Sequence, residues 1–135
     1  VLPSRLMGVV LVVDDDFDFL AVLSDTLTGE GWKVLVASSA SAALRAARLG
    51  RVDVVLTDVV MPFGDGQTLE NTFRSDPRLK DVPFVFMSGM IGYARELPDA
   101  RVLVKPFKAH EVVAMLRSCL PDDVQDDGNR EKSSG

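Results

Sequence analysis

The chain has 135 residues, a formal charge of −5 and a single cysteine. That length supports one domain with a real core and is short for two. The acidic balance argues against a broad nucleic-acid surface, and one cysteine excludes an internal disulfide or a cysteine-based zinc cage. No run approaches the ~18–20 apolar residues of a membrane span, and residues 1–8 lack the apolar stretch of a signal peptide. A cytoplasmic location is therefore the default expectation.

Apolar runs alternate with segments of helical period. Val9 to Val13 reads as a first strand and stops abruptly on Asp14 and Asp15. Phe17, Leu20, Leu23 and Leu27 follow at three- and four-residue spacing, which is one face of a helix. Gly29 and Gly31 end it. Lys33 to Ala37 reads as a second strand. Ser38, Ser39 and Ser41 offer N-caps for an alanine-rich helix that Gly50 closes. Asp53 to Thr57 forms a third strand running into Asp58, and a Pro- and Gly-containing loop follows over residues 61–66. A helix is expected over Gln67 to Arg74, strands over Pro83 to Met87 and Arg101 to Val104, and a last helix over Ala109 to Leu120. Residues 121–135 form a polar tail, expected to be disordered or a linker. The expected organisation is an N-terminal extension over 1–8, one domain over 9–120 and the tail over 121–135.

Five apolar strands alternating with helices imply an α/β fold, a doubly wound parallel sheet covered on both faces. Right-handed crossovers put every strand's carboxyl end at one edge, where such sheets bind ligands. Reading only the residues at those ends gives Asp14 and Asp15 after strand one, Asp58 after strand three, Ser88 after strand four and Lys105 after strand five. Three acids at one edge repel one another by roughly 4 kcal/mol per pair at about 4 Å and an effective dielectric near 20. A divalent cation relieves this, and an all-oxygen carboxylate set suits Mg²⁺ better than zinc. A lysine and a hydroxyl beside a metal-binding acidic cluster point to phosphoryl transfer, which is catalysed by positioning and charge neutralisation. His110 falls in the first turn of the last helix, and Cys119 is expected to pack as a small hydrophobe on that helix's inner side.

The stretches Val9-Val10-Leu11-Val12-Val13-Asp14-Asp15, Leu56-Thr57-Asp58-Val59-Val60-Met61-Pro62, Gly64-Asp65-Gly66, Met87-Ser88-Gly89 and Lys105-Pro106-Phe107 together resemble the receiver domain of response regulators in two-component signalling. The resemblance runs from about Val9 to Leu120. It implies a flavodoxin-like sheet of order 2-1-3-4-5 and a phosphorelay role, with a histidine kinase or phosphotransfer protein as donor. It implies that Asp58 is the phosphoacceptor, that Asp15, Asp58 and the Val60 backbone carbonyl bind Mg²⁺ directly, and that Asp14 acts through a metal-bound water. Ser88 and Lys105 would bind the phosphoryl group, with Lys105 on Asp58 beforehand, and Lys105-Pro106 would be a cis peptide. A receiver promotes its own modification and does not turn over a separate substrate, so no classical enzyme activity is implied.

Two features depart from the pattern. Val102 stands where the family commonly has a switch Tyr or Phe, with Tyr93 as a candidate substitute. Gly89 to Arg101 is short, so the fourth helix is expected to be short or absent, a feature of receivers in hybrid sensor kinases. Two other readings compete. One is a Mg²⁺-dependent phosphatase of the haloacid dehalogenase type, since Asp14-Asp15-Asp16 contains an Asp-x-Asp. The other is a pseudo-receiver that no longer takes phosphate.

Overall fold

A computed structural model describes residues 7–59, 66–89 and 101–121 of the chain. The elements are β1 (Gly8–Val13), α1 (Phe17–Gly29), β2 (Trp32–Ala37), α2 (Ala40–Leu49), β3 (Val54–Asp58), α3 (Gly66–Arg74), β4 (Phe84–Ser88), β5 (Arg101–Val104) and α4 (Ala109–Ser118). The five strands form one parallel sheet of order β2-β1-β3-β4-β5. This is the doubly wound arrangement expected, with strand bounds moved by about one residue. The expected length of a further helix between β4 and β5, Tyr93, the Val60 carbonyl and nearly all of the terminal extensions lie outside the described residues.

The sheet separates two cores because side chains alternate along each strand. Val10 and Val12 of β1, Val54 and Leu56 of β3 and Val85 and Met87 of β4 face one side. There they meet Leu20, Leu23 and Leu27 of α1 and Val112 and Leu116 of α4. Leu11, Val13, Val55, Phe84 and Phe86 face the other side, against Ala43 and Ala47 of α2 and Leu69 and Phe73 of α3. Both strand faces are thus buried, which explains the unbroken apolar runs. Each fully buried Leu, Val or Phe contributes roughly 1.5–3 kcal/mol.

Polar residues fix where the helices begin and end. The Asp16 side chain accepts the Phe19 N–H at 3.1 Å and so caps α1. Ser39 caps α2 by accepting the Ala42 N–H at 3.2 Å. After α1 the chain turns at Gly31, whose φ of 97° suits glycine. At the opposite end of the sheet from the acids, Asp53 accepts the Val9 N–H at 2.8 Å and the Arg51 Nε–H at 3.0 Å, tying β1 to the entry of β3.

Gly66 opens α3 under the end of β3. A Cβ at this position would lie 2.6 Å from the Asp58 carbonyl oxygen, 3.0 Å from Thr57 Cγ2 and 3.1 Å from Phe86 Cε1. The first contact is with backbone, so relief requires α3 or β3 to move. Gly66→Ala is expected to lower stability by about 1–3 kcal/mol, read as a reduced urea midpoint with an unchanged slope.

Candidate functional site

Parallel register brings the strand-end residues together. Val13 of β1 pairs with Thr57 of β3, so Asp14 and Asp58 are the next residues on adjacent strands. Asp58 pairs with Met87 of β4, and Ser88 pairs with Val104 of β5. The Lys105 N–H donates to the Ser88 carbonyl at 2.7 Å, extending the β4–β5 pairing to the lysine itself. Asp14, Asp58, Ser88 and Lys105 therefore occupy consecutive strand ends along one edge, with Asp15 beside Asp14.

Burial divides these residues. Asp14 is 1% exposed and Ser88 is buried, Asp58 is half-buried, and Asp15 is exposed. Among the described residues, Asp14, Asp15 and Asp58 each offer a carboxylate oxygen within 4.8 Å of the others. These hard oxygen donors fit a cation such as Mg²⁺. Asp16 stands apart from the three. Its N–H donates to Asp14 Oδ1 at 3.0 Å, while its carboxylate caps α1.

Lys105 supplies the compensating charge. Its Nζ donates to Asp14 Oδ2 at 2.8 Å and lies 3.6 Å from Asp58 Oδ2. The second distance is an ion pair beyond hydrogen-bond length. The resemblance led to the expectation that Lys105 rests on Asp58; its shorter contact is with Asp14. The buried, otherwise desolvated Asp14 carboxylate has the stronger need of a donor. Three carboxylates with one ammonium leave two negative charges at the edge, the deficit that one divalent cation balances.

Elsewhere, the Lys105–Pro106 peptide is cis, as expected. Val102 is half-buried and packs on the α2–α3 side of the sheet. Cys119 packs against the core beside α4, and its thiol faces the Met115 carbonyl at 3.5 Å. His110 is exposed on the first turn of α4. Missing from the sequence reading is Phe19, whose ring lies beneath the Lys105 ammonium at 4.4 Å. Its helical spacing gave no sign of this contact, because a residue 86 positions away makes it.

The model of the response regulator receiver domain matches residues 10–117. The chain belongs to that family. It is 37% identical over 121 residues to the transcriptional regulatory protein PrrA of Mycobacterium tuberculosis, covering 82% of this chain and 49% of PrrA. Against the DNA-binding response regulator MtrA of the same species it is 33% identical over 118 residues, covering 82% and 50%. The chain thus spans about half the length of the curated relatives it matches. Among solved structures, the chemotaxis protein CheY4 of Vibrio cholerae superposes with a TM-score of 0.75 at 28% identity, covering 84% of this chain and 99% of that one. The receiver reading stands, and these likenesses favour it over the phosphatase alternative. Among the described residues, no helix is long and apolar enough to cross a membrane.

Burial by itself would lower the Lys105 pKa. The hydrogen bond to Asp14 and the charges of Asp58 and Asp14 outweigh it and hold the ammonium above its ordinary 10.5. A lysine raised in the folded state contributes stability that is complete below the unfolded value and lost as pH rises through the folded one. Lys105→Met is expected to cost about 1–2 kcal/mol at neutral pH without Mg²⁺. The gap should close only above the ordinary 10.5, as followed by urea denaturation of both proteins from neutral pH to ~11.

Proposed function

We propose that this receiver domain accepts a phosphoryl group on Asp58 from the phosphohistidine of a sensor kinase or phosphotransfer protein. The observation that carries the reading is the pairing of Asp58 with the Lys105 ammonium at 3.6 Å inside a three-carboxylate cluster. One Asp58 oxygen attacks phosphorus, the P–N bond to the donor imidazole breaks, and the ring nitrogen keeps the electron pair and takes a proton. Lys105 then pairs with a phosphoryl oxygen, and the Ser88 hydroxyl donates to another. In this assignment Asp15 and Asp58 would hold Mg²⁺ directly, together with the Val60 carbonyl, and Asp14 would act through a water. Mg²⁺, when bound, neutralises charge on the phosphoryl oxygens.

The functional unit is residues 9–120, with 1–8 as an extension and 121–135 as a tail or linker. The domain modifies itself and turns over no separate substrate. We place it in the cytoplasm, where kinase and phosphotransfer domains present their histidines. Its output is a protein contact rather than direct binding of nucleic acid, in keeping with its acidic charge. The matches to a transcriptional regulatory protein and a DNA-binding response regulator, about half of whose length this chain covers, to the receiver of the hybrid histidine kinase CckA, 28% identical with a TM-score of 0.71, and to nearly the whole of the chemotaxis protein CheY4 leave open whether the domain acts alone or attached. The Met-Ser-Gly end of β4 and the short stretch before β5 favour the hybrid-kinase form.

Incubation with Mg²⁺ and phosphoramidate should add one phosphoryl mass to the intact protein, and Asp58→Asn should abolish the adduct. An adduct that persists in Asp58→Asn defeats the acceptor assignment; none in the native chain supports the pseudo-receiver instead. Separately, Mg²⁺ at ten times its Kd should stabilise the native state by about 1.4 kcal/mol, a Tm rise of roughly 5 °C. Asp15→Asn should shrink that rise to a degree or so. A melting curve indifferent to millimolar Mg²⁺ counts against a cation at this cluster.

A further inference from the structure

Lys105 has a neighbour that charge balance does not require. Besides Asp14 and Asp58, its Nζ sits 4.4 Å from the centroid of the Phe19 ring. An ammonium over a ring face is drawn to the ring's negative quadrupole by about 0.5–1 kcal/mol when exposed and about 2 when desolvated. Lys105 is 25% exposed and its partner Asp14 is 1% exposed, so the contact lies towards the desolvated limit.

The ring is itself held in place. The Phe19 N–H is bonded to the Asp16 cap at 3.1 Å, which fixes the first turn of α1. The ring also meets Phe107 nearly edge-on, with centroids 6.1 Å apart and planes at 84°, a favoured aromatic geometry. Phe107 follows Lys105 by two residues, across the cis Lys105–Pro106 bond. The segment that delivers the ammonium therefore also delivers the brace for the ring beneath it. Both rings pack on the core between the sheet, α1 and α4.

A cation in the acidic cluster changes what holds Lys105. Asp14 and Asp58, which grip the ammonium, are also two of the three carboxylates that face the cation. Once they are neutralised, their pull weakens and the cation repels the ammonium. The ring carries no net charge to be neutralised, so its attraction survives. We infer that Phe19 is a positioning residue for Lys105, its ring face keeping the ammonium over the acidic edge when a cation sits among Asp14, Asp15 and Asp58. The ammonium is then in place for the incoming phosphoryl oxygen. This deepens the reading of the site given above and rests on it.

The test uses the intact chain with Phe19 replaced by mono-, di- and trifluorophenylalanine, which drain the ring's quadrupole while nearly preserving its shape, and with Phe19→Leu. Two quantities are measured: the initial rate of phosphoramidate modification in saturating Mg²⁺, and the NMR shift of the Lys105 ε-methylene protons, which a ring face moves upfield. The rate should fall stepwise with each fluorine, to about three- to tenfold below native for the trifluoro ring. In the native protein the upfield shift should persist when Mg²⁺ is added, and Phe19→Leu should abolish it. A rate indifferent to fluorine while Phe19→Leu alone is slow would show that the ring only packs, and overturns the proposal. So does an upfield shift that vanishes in the native protein on adding Mg²⁺. Failure of the underlying site reading is distinct: the native protein would then form an adduct that survives Asp58→Asn, or none at all.

Discussion

Like charges crowded at the edge of a parallel sheet are the constraint around which this molecule is arranged. Asp14 is buried at the end of a fully apolar strand, a placement that needs a partner for its charge. Lys105 provides that partner from the far side of the sheet, at 2.8 Å. The ion pair needs β1, β3, β4 and β5 in one register, because Asp14 and Lys105 are 91 residues apart in sequence. The apolar runs are what secure that register: a slip by one residue would turn every buried side chain to the wrong face.

The same pairing couples resting structure to chemistry. Lys105 compensates the carboxylates in the absence of a cation, and it is also the group expected to meet the phosphoryl oxygens. On the proposed reading, a cation, the ammonium and the phosphoryl group would all act on the same few oxygens. A change in any one alters the electrostatic environment of the others. Such coupling makes a small acidic edge responsive to a single covalent modification.

Transmission from the edge follows from what packs behind it. β5 carries Val102 where an aromatic switch is common in this family, and Val102 is part of the α2–α3 core. On the opposite side, Phe19 and Phe107 connect the lysine to α1 and α4. The ring-to-ring contact lies within the single layer that α1 and α4 form on that side.

Most of the architecture was legible in the chain. Period-two burial is masked in doubly covered strands, but unbroken runs such as Val9 to Val13 and Val54 to Leu56 imply them directly. The cap residue Ser39 and the turn at Gly31 declare helix limits through local chemistry. Identity of the acidic edge was equally local, since each candidate is the residue that ends an apolar run. Pairings between those residues were not local. That Lys105 bonds Asp14 more closely than Asp58, that Gly66 lies against the Asp58 carbonyl, and that Phe19 lies under the ammonium all depend on distances across strands and layers. Residue types and their order determined which groups reach the edge. Only the packed sheet decided which of them touch, because side-chain reach is set by strand register and helix position rather than by sequence separation.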